Sequence, residues 1–378
     1  MKIERVRWHP ITGWQDSRSF CSGFLPQLVL VFGRGQCLSD PRCLTALQDR
    51  FPGAQIAMAS SESVINGDCP EEETVVCALA IMLEKSRLEV RQVFVSDSAE
   101  CSNAGQALAK QLVADDLSCL FVLLGSKTIN PEGFLQGINA VVNGTAAISG
   151  GVASNGNHFD GALVGLNGVN SEYSAVAIAF YGERLRAATA CGAGWRGFGP
   201  SRIVTAADEN VLHELDGRPA MALYREYLGE WLENTPVGTF RYPLAIHCSS
   251  PERRAVRAVV PLEDSTSSSL MIYGTIPTGT EVQMLYASHD DLMDGITQAA
   301  DLVTAEFSPE LVLCVSCTGR TVVMGEFAED EVEAVRSRLG TKPELFGFYS
   351  YGEIAPADRD GPAVLHNQTM VLTGLREL

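Results

Sequence analysis

Short apolar runs stopped by glycine set the pattern of the first part of the chain. LVLVFG (residues 28–33) is rich in β-branched residues and ends at Gly-Arg-Gly; a helical spacing through Leu44 and Leu47 follows, then the strand-like AQIAMA before Ser60. The alternation continues with a strand at EVRQVFVS, a helix over residues 104–112, a strand at CLFVLLG, a helix from Pro131 to Val142 and a strand at TAAISG. Alternating strand and helix periods of these lengths predict α/β layering in the first 150 residues.

From Gly150 the texture changes to apolar runs separated by turn pairs. Asn155-Gly156, Asn167-Gly168, Tyr181-Gly182 and Asp216-Gly217 punctuate FDGALVGL, YSAVAIAFYG and RLRAATA, which predicts antiparallel strands. A helix over residues 219–228 opens on Pro219 and stops at Gly229. The polar stretch 230–240 reads as a connector, with the boundary near residue 238. Beyond it come strands at YPLAIH, AVRAVV, EVQMLYA, ELVLCVS, LFGFYS and TMVLTGL, a hairpin around residues 264–273, and helices over residues 291–305 and 330–339. No repeat with a period of 20 to 50 residues is visible in the sequence. The predicted fold class is α+β (mixed α/β) in two domains, each a mixed or antiparallel sheet with packed helices. The expected boundaries are 1–27 for an N-terminal extension, 28–238 for the first domain and 239–378 for the second.

Length agrees with that division, since 378 residues exceed one ordinary core. Hydrophobic residues make up 46% of the chain and charged residues 20%, enough apolar material to order it throughout. The formal net charge of -18, with no stripe of Lys and Arg, argues against nucleic acid and anionic membrane surfaces as partners. The longest apolar stretches fall short of a membrane span, and residues 1–17 have no apolar signal core. Eleven cysteines scattered through strand-like and helix-like segments predict reduced thiols and a cytoplasmic protein. The CxxC of Cys314 and Cys317 lacks a second pair and reads as a strand with two small buried residues.

Three clusters carry candidate chemistry. CGAGWRGFGP (residues 191–200) intersperses four glycines with Trp195, a flat apolar wall, and Arg196, a planar donor fork that suits an anionic group; a tight loop with Trp195 as a core plug is the competing reading. SGGVASNGNHF (residues 149–159) is a Gly-Gly turn followed by polar residues ending in His158, as a pocket mouth or a plain hairpin. SCTGR, GFYSYGEI and LHNQT bring Cys317, Arg320, Tyr349, Glu353, His366 and Asn367 to ends of predicted strands, where rigid scaffolds hold functional side chains. Arg320 would take a ligand carboxylate and Glu353 an ammonium, as an amino acid requires; alternatively the two pair with each other. There is no GxSxG, HExxH or phosphate-loop motif, so hydrolytic readings have little basis beyond a Cys317–His366 thiol dyad. Noncovalent haem needs one axial imidazole, for which His158 and His247 are the first candidates.

These blocks resemble the FIST family. SGGVASNGNHFDGALV and GAGWRGFGPSRIVTAADENVLHELDGRPAMALYREYLG resemble two segments of the N-terminal FIST domain, and SCTGR, GFYSYGEI and LHNQTMVLT resemble the C-terminal FIST signature in order and spacing. The resemblance runs from about Leu28 to Leu378. It implies a sensory input protein, not an enzyme, that binds a small ligand such as an amino acid; the clusters above offer Trp195, Arg196, Cys317, Arg320, Tyr349, Glu353, His366 and Asn367 for a pocket at or near the interface of the two domains. It also implies an output passed to a histidine kinase, chemoreceptor or cyclic-di-GMP enzyme, since no such segment accompanies these blocks, and it leaves oligomerisation open. One branch is similar to haem-bearing nitric oxide sensors; His213 stands in LHELDG where the family more usually has an aromatic, which makes it a further haem or metal candidate beside the haem candidates His158 and His247. Where the family has a segment like GCSTAGEI this chain has AMASSESVI (residues 57–65), a departure that weakens any ligand role for that loop.

Overall fold

The computed structural model describes residues 1–9, 11–16, 24–67, 70–71, 76–156, 161–229, 238–247, 254–262, 268–358 and 361–378, excluding the side chains of residues 70, 71, 247 and 254. LVLVFG, CLFVLLG and ELVLCVS, the apolar runs that the pattern singles out, occupy equivalent places in three sheets. The first of them is β3 (Leu28–Gly33), which follows β1 (Lys2–His9) and β2 (Gly13–Asp16) and leads through α1 (Gly35–Leu38) and α2 (Pro41–Arg50) to β4 (Gln55–Ser60), β5 (Val64–Asn66), β6 (Pro70–Glu71) and β7 (Val76–Met82). The second unit runs β8 (Arg87–Phe94), α3 (Cys101–Leu112), β9 (Leu117–Leu124), α4 (Pro131–Val142), β10 (Ala147–Val152), β11 (Val164–Leu166), β12 (Val169–Ser171) and β13 (Ser174–Tyr181).

The third unit opens with β14 (Leu185–Gly192) and is interrupted before its own central strand. The interruption contains β15 (Arg196–Gly197), β16 (Arg202–Asp208), β17 (Val211–Leu215), β18 (Arg218–Pro219), α5 (Ala220–Leu228), β19 (Leu244–His247), β20 (Arg254–Arg257), β21 (Val259–Pro261), β22 (Leu270–Ile272) and β23 (Glu281–Tyr286), which together form one nine-stranded sheet. The unit resumes with α6 (His289–Thr304), β24 (Leu311–Cys317), α7 (Thr318–Met324), α8 (Asp330–Leu339), β25 (Glu344–Ser350), β26 (Gly352–Pro356), β27 (Ala363–His366) and β28 (Met370–Glu377).

The three units share one topology. In each, a parallel pair (β3–β4, β9–β10, β24–β25) is flanked by an antiparallel return strand (β7, β13, β28) and then by the strand that opened the unit (β1, β8, β14). Each second parallel strand then hands its hairpin to a neighbouring sheet: β5–β6 pairs with β25, β11–β12 with β4, and β26–β27 with β10. The exchange is cyclic, so the three sheets form a closed triangular arrangement, and strands from both sides of residue 238 share sheets. This triplication is the repeat that the sequence does not display, because it lives in strand order and the third copy is split by the nine-stranded sheet.

Alternation within the central strands explains the layers. Leu28, Leu30 and Phe32 face the same central core as Cys119, Phe121 and Leu123 of β9 and Leu311, Leu313 and Val315 of β24. The intervening Val29 and Val31 face α2, Leu120, Val122 and Leu124 face α3 and α4, and Val312 and Cys314 face α6 and α8. With apolar cover on both faces the strands read as continuous runs rather than as half-polar stripes. Phe32 of the first unit lies 5.2 and 4.6 Å from the rings of Phe346 and Phe348 of the third. Burying such a ring contributes about 1.5–3 kcal/mol, so this centre is where the units hold one another.

Helix termini follow local chemistry. Asn130 accepts from the Gly133 amide at the start of α4, and Ser288 and Asp291 form a reciprocal capping box on α6. Asn167-Gly168 and Asp216-Gly217 carry positive φ angles in the β11–β12 and β17–β18 turns. The connector over residues 230–237 and the start of the 264–273 hairpin lie outside the described residues. No helix among the described residues is long and apolar enough to cross a membrane.

Candidate functional site

The inward ends of the second parallel strands meet where the exchanged hairpins cross over. The Ser154 amide donates to Ser60 O at 3.0 Å, the Tyr351 amide to Val152 O at 3.0 Å, and the hydroxyls of Ser61 and Ser154 both donate to Tyr349 O, at 2.9 and 2.5 Å. The Gly-Gly pair serves this crossing: Gly150 has φ +140°, and a Cβ there would collide with the Val122 backbone.

Over this end lies the nine-stranded sheet, and between the two is a cleft of about 530 Å³. Its scaffold wall is Glu62, Gly156, Cys317, Thr318, Gly319 and Tyr351; the facing wall includes Phe240, Val260, Met271 and Tyr273. A mostly apolar concavity with a few polar groups is the usual form of a small-molecule site. Tyr351 is fixed by its hydroxyl, which donates to Gly156 O at 2.7 Å and accepts from the Asn155 amide at 3.0 Å. Burial, chiefly, pushes its pKa up to about 12, so it stays a neutral phenol.

Seven of the eight ligand-site candidates named from sequence gather on or around the turn formed by residues 365–369, and most are sealed there. Trp195 donates its indole N–H to Gln368 O at 2.8 Å and packs between two apolar clusters that join the nine-stranded sheet to α6 and α7. Arg320 is fully buried: its Nε bonds Glu331 at 2.9 Å and its Nη1 reaches both Gln368 O and Ala193 O at 3.3 Å. Tyr349 is buried on the same side, and burial followed by the Glu331 charge raises its pKa well above normal. Arg320 therefore has a protein carboxylate as its partner, and that carboxylate is Glu331 rather than Glu353. Asn367 accepts from the Ala258 amide at 3.2 Å through Oδ1, while its own amide donates to Val256 O at 3.0 Å. Arg196 stands apart, exposed and ion-paired with Asp291. Only Cys317 of the eight borders the cleft.

Behind Cys317 is a buried polar knot. Glu353 accepts from Ser350 Oγ at 2.6 Å and from the Thr369 amide and hydroxyl at 3.2 and 2.9 Å. Burial outweighs these bonds and pushes its pKa up to about 8, so the carboxyl is largely protonated at neutral pH. Burial likewise raises the Cys317 thiol well above its usual value, with Glu353 adding to the effect against amide donation from Gln368 and Gly319. His366, opposite Glu353 in the β26–β27 register, is held down to about 4 by burial and by the Arg257 charge. Gln368 adopts φ +57°, and its buried carboxamide has no hydrogen-bond partner among the described residues. A Cβ on Gly319 would come within 2.5 Å of that carboxamide, so the cleft wall at this point has to be glycine.

The same turn fastens the nine-stranded sheet to the scaffold. Arg257 of β20 donates to Leu365 O at 2.5 Å and pairs with Glu132 of α4 at 2.6 Å; Glu132 also accepts from the amide and hydroxyl of Thr275. Residues 365–369 thus stand behind the cleft wall at Gly319 and also bond the overlying sheet.

Of the haem candidates, His158 and the His247 side chain lie outside the described residues. His213 sits on β17 with Nδ1 2.8 Å from Ser269 Oγ. Among the described residues no imidazole borders the large cleft, and no group of three or more His, Cys, Asp or Glu could hold a metal. The described donor set does not fit an axially ligated haem in this cleft.

Sequence reasoning did not single out Glu62, Phe240, Tyr273 or Tyr351. Tyr351 had a signal: it lies inside GFYSYGEI, two residues beyond Tyr349, past the strand's last ladder position and therefore free to turn toward the cleft. Glu62 lies in AMASSESVI, whose departure from the family pattern weakened any ligand role for it. Phe240 and Tyr273 carried none, since one lies at the end of the polar connector and the other in a predicted hairpin, with no neighbouring motif to single either out.

No curated protein matches the sequence. Two family models do: the FIST N domain over residues 27–218 and the FIST C domain over residues 220–356. FIST domains are sensory domains that bind small ligands in signal transduction. With its two models abutting between residues 218 and 220 and together covering most of the chain, this protein belongs to the FIST family.

Proposed function

We propose that this chain is a small-molecule sensor that holds its ligand in the cleft between the nine-stranded sheet and the end of the triangular scaffold, and that it signals occupancy to a partner such as a histidine kinase, a chemoreceptor or a cyclic-di-GMP enzyme. The observation that carries the reading is the position of residues 365–369 between the cleft wall and the overlying sheet. The turn stands behind the cleft wall at Gly319 and also holds Val256, Arg257 and Ala258 of the overlying sheet. A ligand that fits one setting of this joint better than another shifts the sheet's position by its difference in affinity, which a partner can read. Burial of Cys317 and its raised pKa favour binding over thiol catalysis, because the thiol rather than the thiolate predominates. No observation in the described residues favours the haem reading.

Filling the cleft tests the assignment. Val322 lines it from α7 and is partly exposed, so Val322→Trp occupies the space with little cost to the core. Metabolites that raise the melting temperature of the wild type are expected to lose that effect in Val322→Trp, whose own unliganded melting temperature stays close to wild type. Equal stabilisation of both proteins by every such metabolite places the ligand elsewhere.

A further inference from the structure

The cleft's charge is one-sided. Among the described residues its lining contains one carboxylate, Glu62, and no lysine or arginine. Glu62 is half-buried and makes no ion pair with any described residue. It lies against the Gly156 backbone, where a Cβ would be 3.2 Å from Oε1. The Tyr351 hydroxyl is anchored on that same Gly156, which puts the Tyr351 ring beside the carboxylate.

Across the cleft stand Phe240 and Tyr273, their ring centroids 6.4 Å apart with planes at 38°. Burial raises the Tyr273 pKa, and Cys317 and Tyr351 add to it, so these groups crowd the same space and the ring stays a neutral phenol with an intact π face. Three aromatic side chains and one carboxylate with no ion-pair partner among the described residues form a surround suited to a positively charged nitrogen, which gains from the ring quadrupoles and from the carboxylate together. A ligand carboxylate in the same space would face Glu62 with no described counter-charge.

We infer that the ligand is an organic cation, an ammonium or similar charged nitrogen group carried on an apolar body. The inference rests on the cleft assignment made above and adds the chemical class. A net charge of -18 supports it further by drawing cations toward the protein and slowing the approach of anions. This differs from the amino-acid pairing expected from Arg320 and Glu353, since Arg320 is committed to Glu331.

Four probes of matched shape separate the possibilities by calorimetry on the full chain: 2-phenylethylamine, benzyltrimethylammonium, neutral 2-phenylethanol and anionic 3-phenylpropionate. The two cations are expected to bind at least tenfold more tightly than the alcohol, and the anion to show no binding. Glu62→Gln is expected to lower cation affinity about tenfold with the alcohol unchanged, while Val322→Trp abolishes both. Should Glu62→Gln fold poorly, the wild type still decides, because cation affinity must fall with added salt and that of the alcohol must not. Alcohol or anion binding as tight as the cations, lost in Val322→Trp, overturns the charge inference and leaves the cleft assignment standing. Cation binding undiminished in Val322→Trp overturns the cleft assignment itself, and no binding by any of the four overturns the inference.

Discussion

Glu353→Gln changes one buried carboxyl into a group that cannot ionise. In the folded protein Glu353 titrates near 8, pushed there by burial, against an ordinary value of 4.5. Between those values the unfolded chain has released the proton and the folded chain keeps it, so folding stability falls as pH rises through the interval and levels off above it. Each pH unit is worth about 1.4 kcal/mol, which puts the whole interval at about 5 kcal/mol and the part between about pH 6 and pH 8 at about 2 kcal/mol. His366 acts in the opposite sense. Its folded value near 4 against 6.5 means that stability is lost as pH falls below 6.5, so the two groups offset each other at mildly acidic pH. Subtracting the stability of Glu353→Gln from that of the wild type cancels His366 and every other shared group. Urea denaturation from about pH 5 to pH 9 is expected to show this difference shrinking by about 2 kcal/mol between pH 6 and pH 8 and then flattening. A difference that stays constant across that range would refute the buried, protonated carboxyl behind Cys317.

Three further outcomes are expected. Arg320→Met leaves Glu331 buried without its partner and costs about 3–5 kcal/mol in urea denaturation, and adding Glu331→Leu recovers a large part of the loss; equal instability of the single and double variants would contradict the pairing. Trp195→Phe removes the indole N–H bonded to Gln368 O together with part of the ring packed between two apolar clusters; since Arg320 still donates to that carbonyl the lost hydrogen bond costs about 0.5–1.5 kcal/mol, with the lost packing in addition, and a wild-type melting temperature would count against the joint. Native protein treated with iodoacetamide at neutral pH leaves Cys317 unmodified by mass spectrometry while urea-unfolded protein is labelled there, and fast native labelling would show the thiol exposed and ionised.

The sequence leaves the clusters at strand ends open to two readings, a ligand site or sealed structure, and the three-dimensional arrangement turns most of their side chains inward. Cys314 and Cys317 show why. Three residues apart on β24, they fall on opposite faces, with Cys314 against the helix layer and Cys317 at the strand end by the cleft, so no CxxC site forms. Arg320 and Tyr349 point the same way as Cys314, toward Glu331 on α8. Which carboxylate would receive Arg320 depends on how α7 and α8 pack, a long-range fact that no local spacing encodes.

What the chain determines by itself is local: the apolar runs of β3, β9 and β24, the helix caps, and the positive-φ turns at Asn167-Gly168 and Asp216-Gly217 all follow from neighbouring side chains and backbone preference. Together with the ordered motif blocks, these made the α+β class and the family legible. Only tertiary structure decided that the three units exchange hairpins in a ring, that a nine-stranded sheet closes over one end of that ring, and that Glu62, Phe240, Tyr273 and Tyr351 meet there. Those residues are far apart along the chain, and their meeting is set by sheet pairing and core packing, whose partners cannot be named until the whole fold has chosen among them.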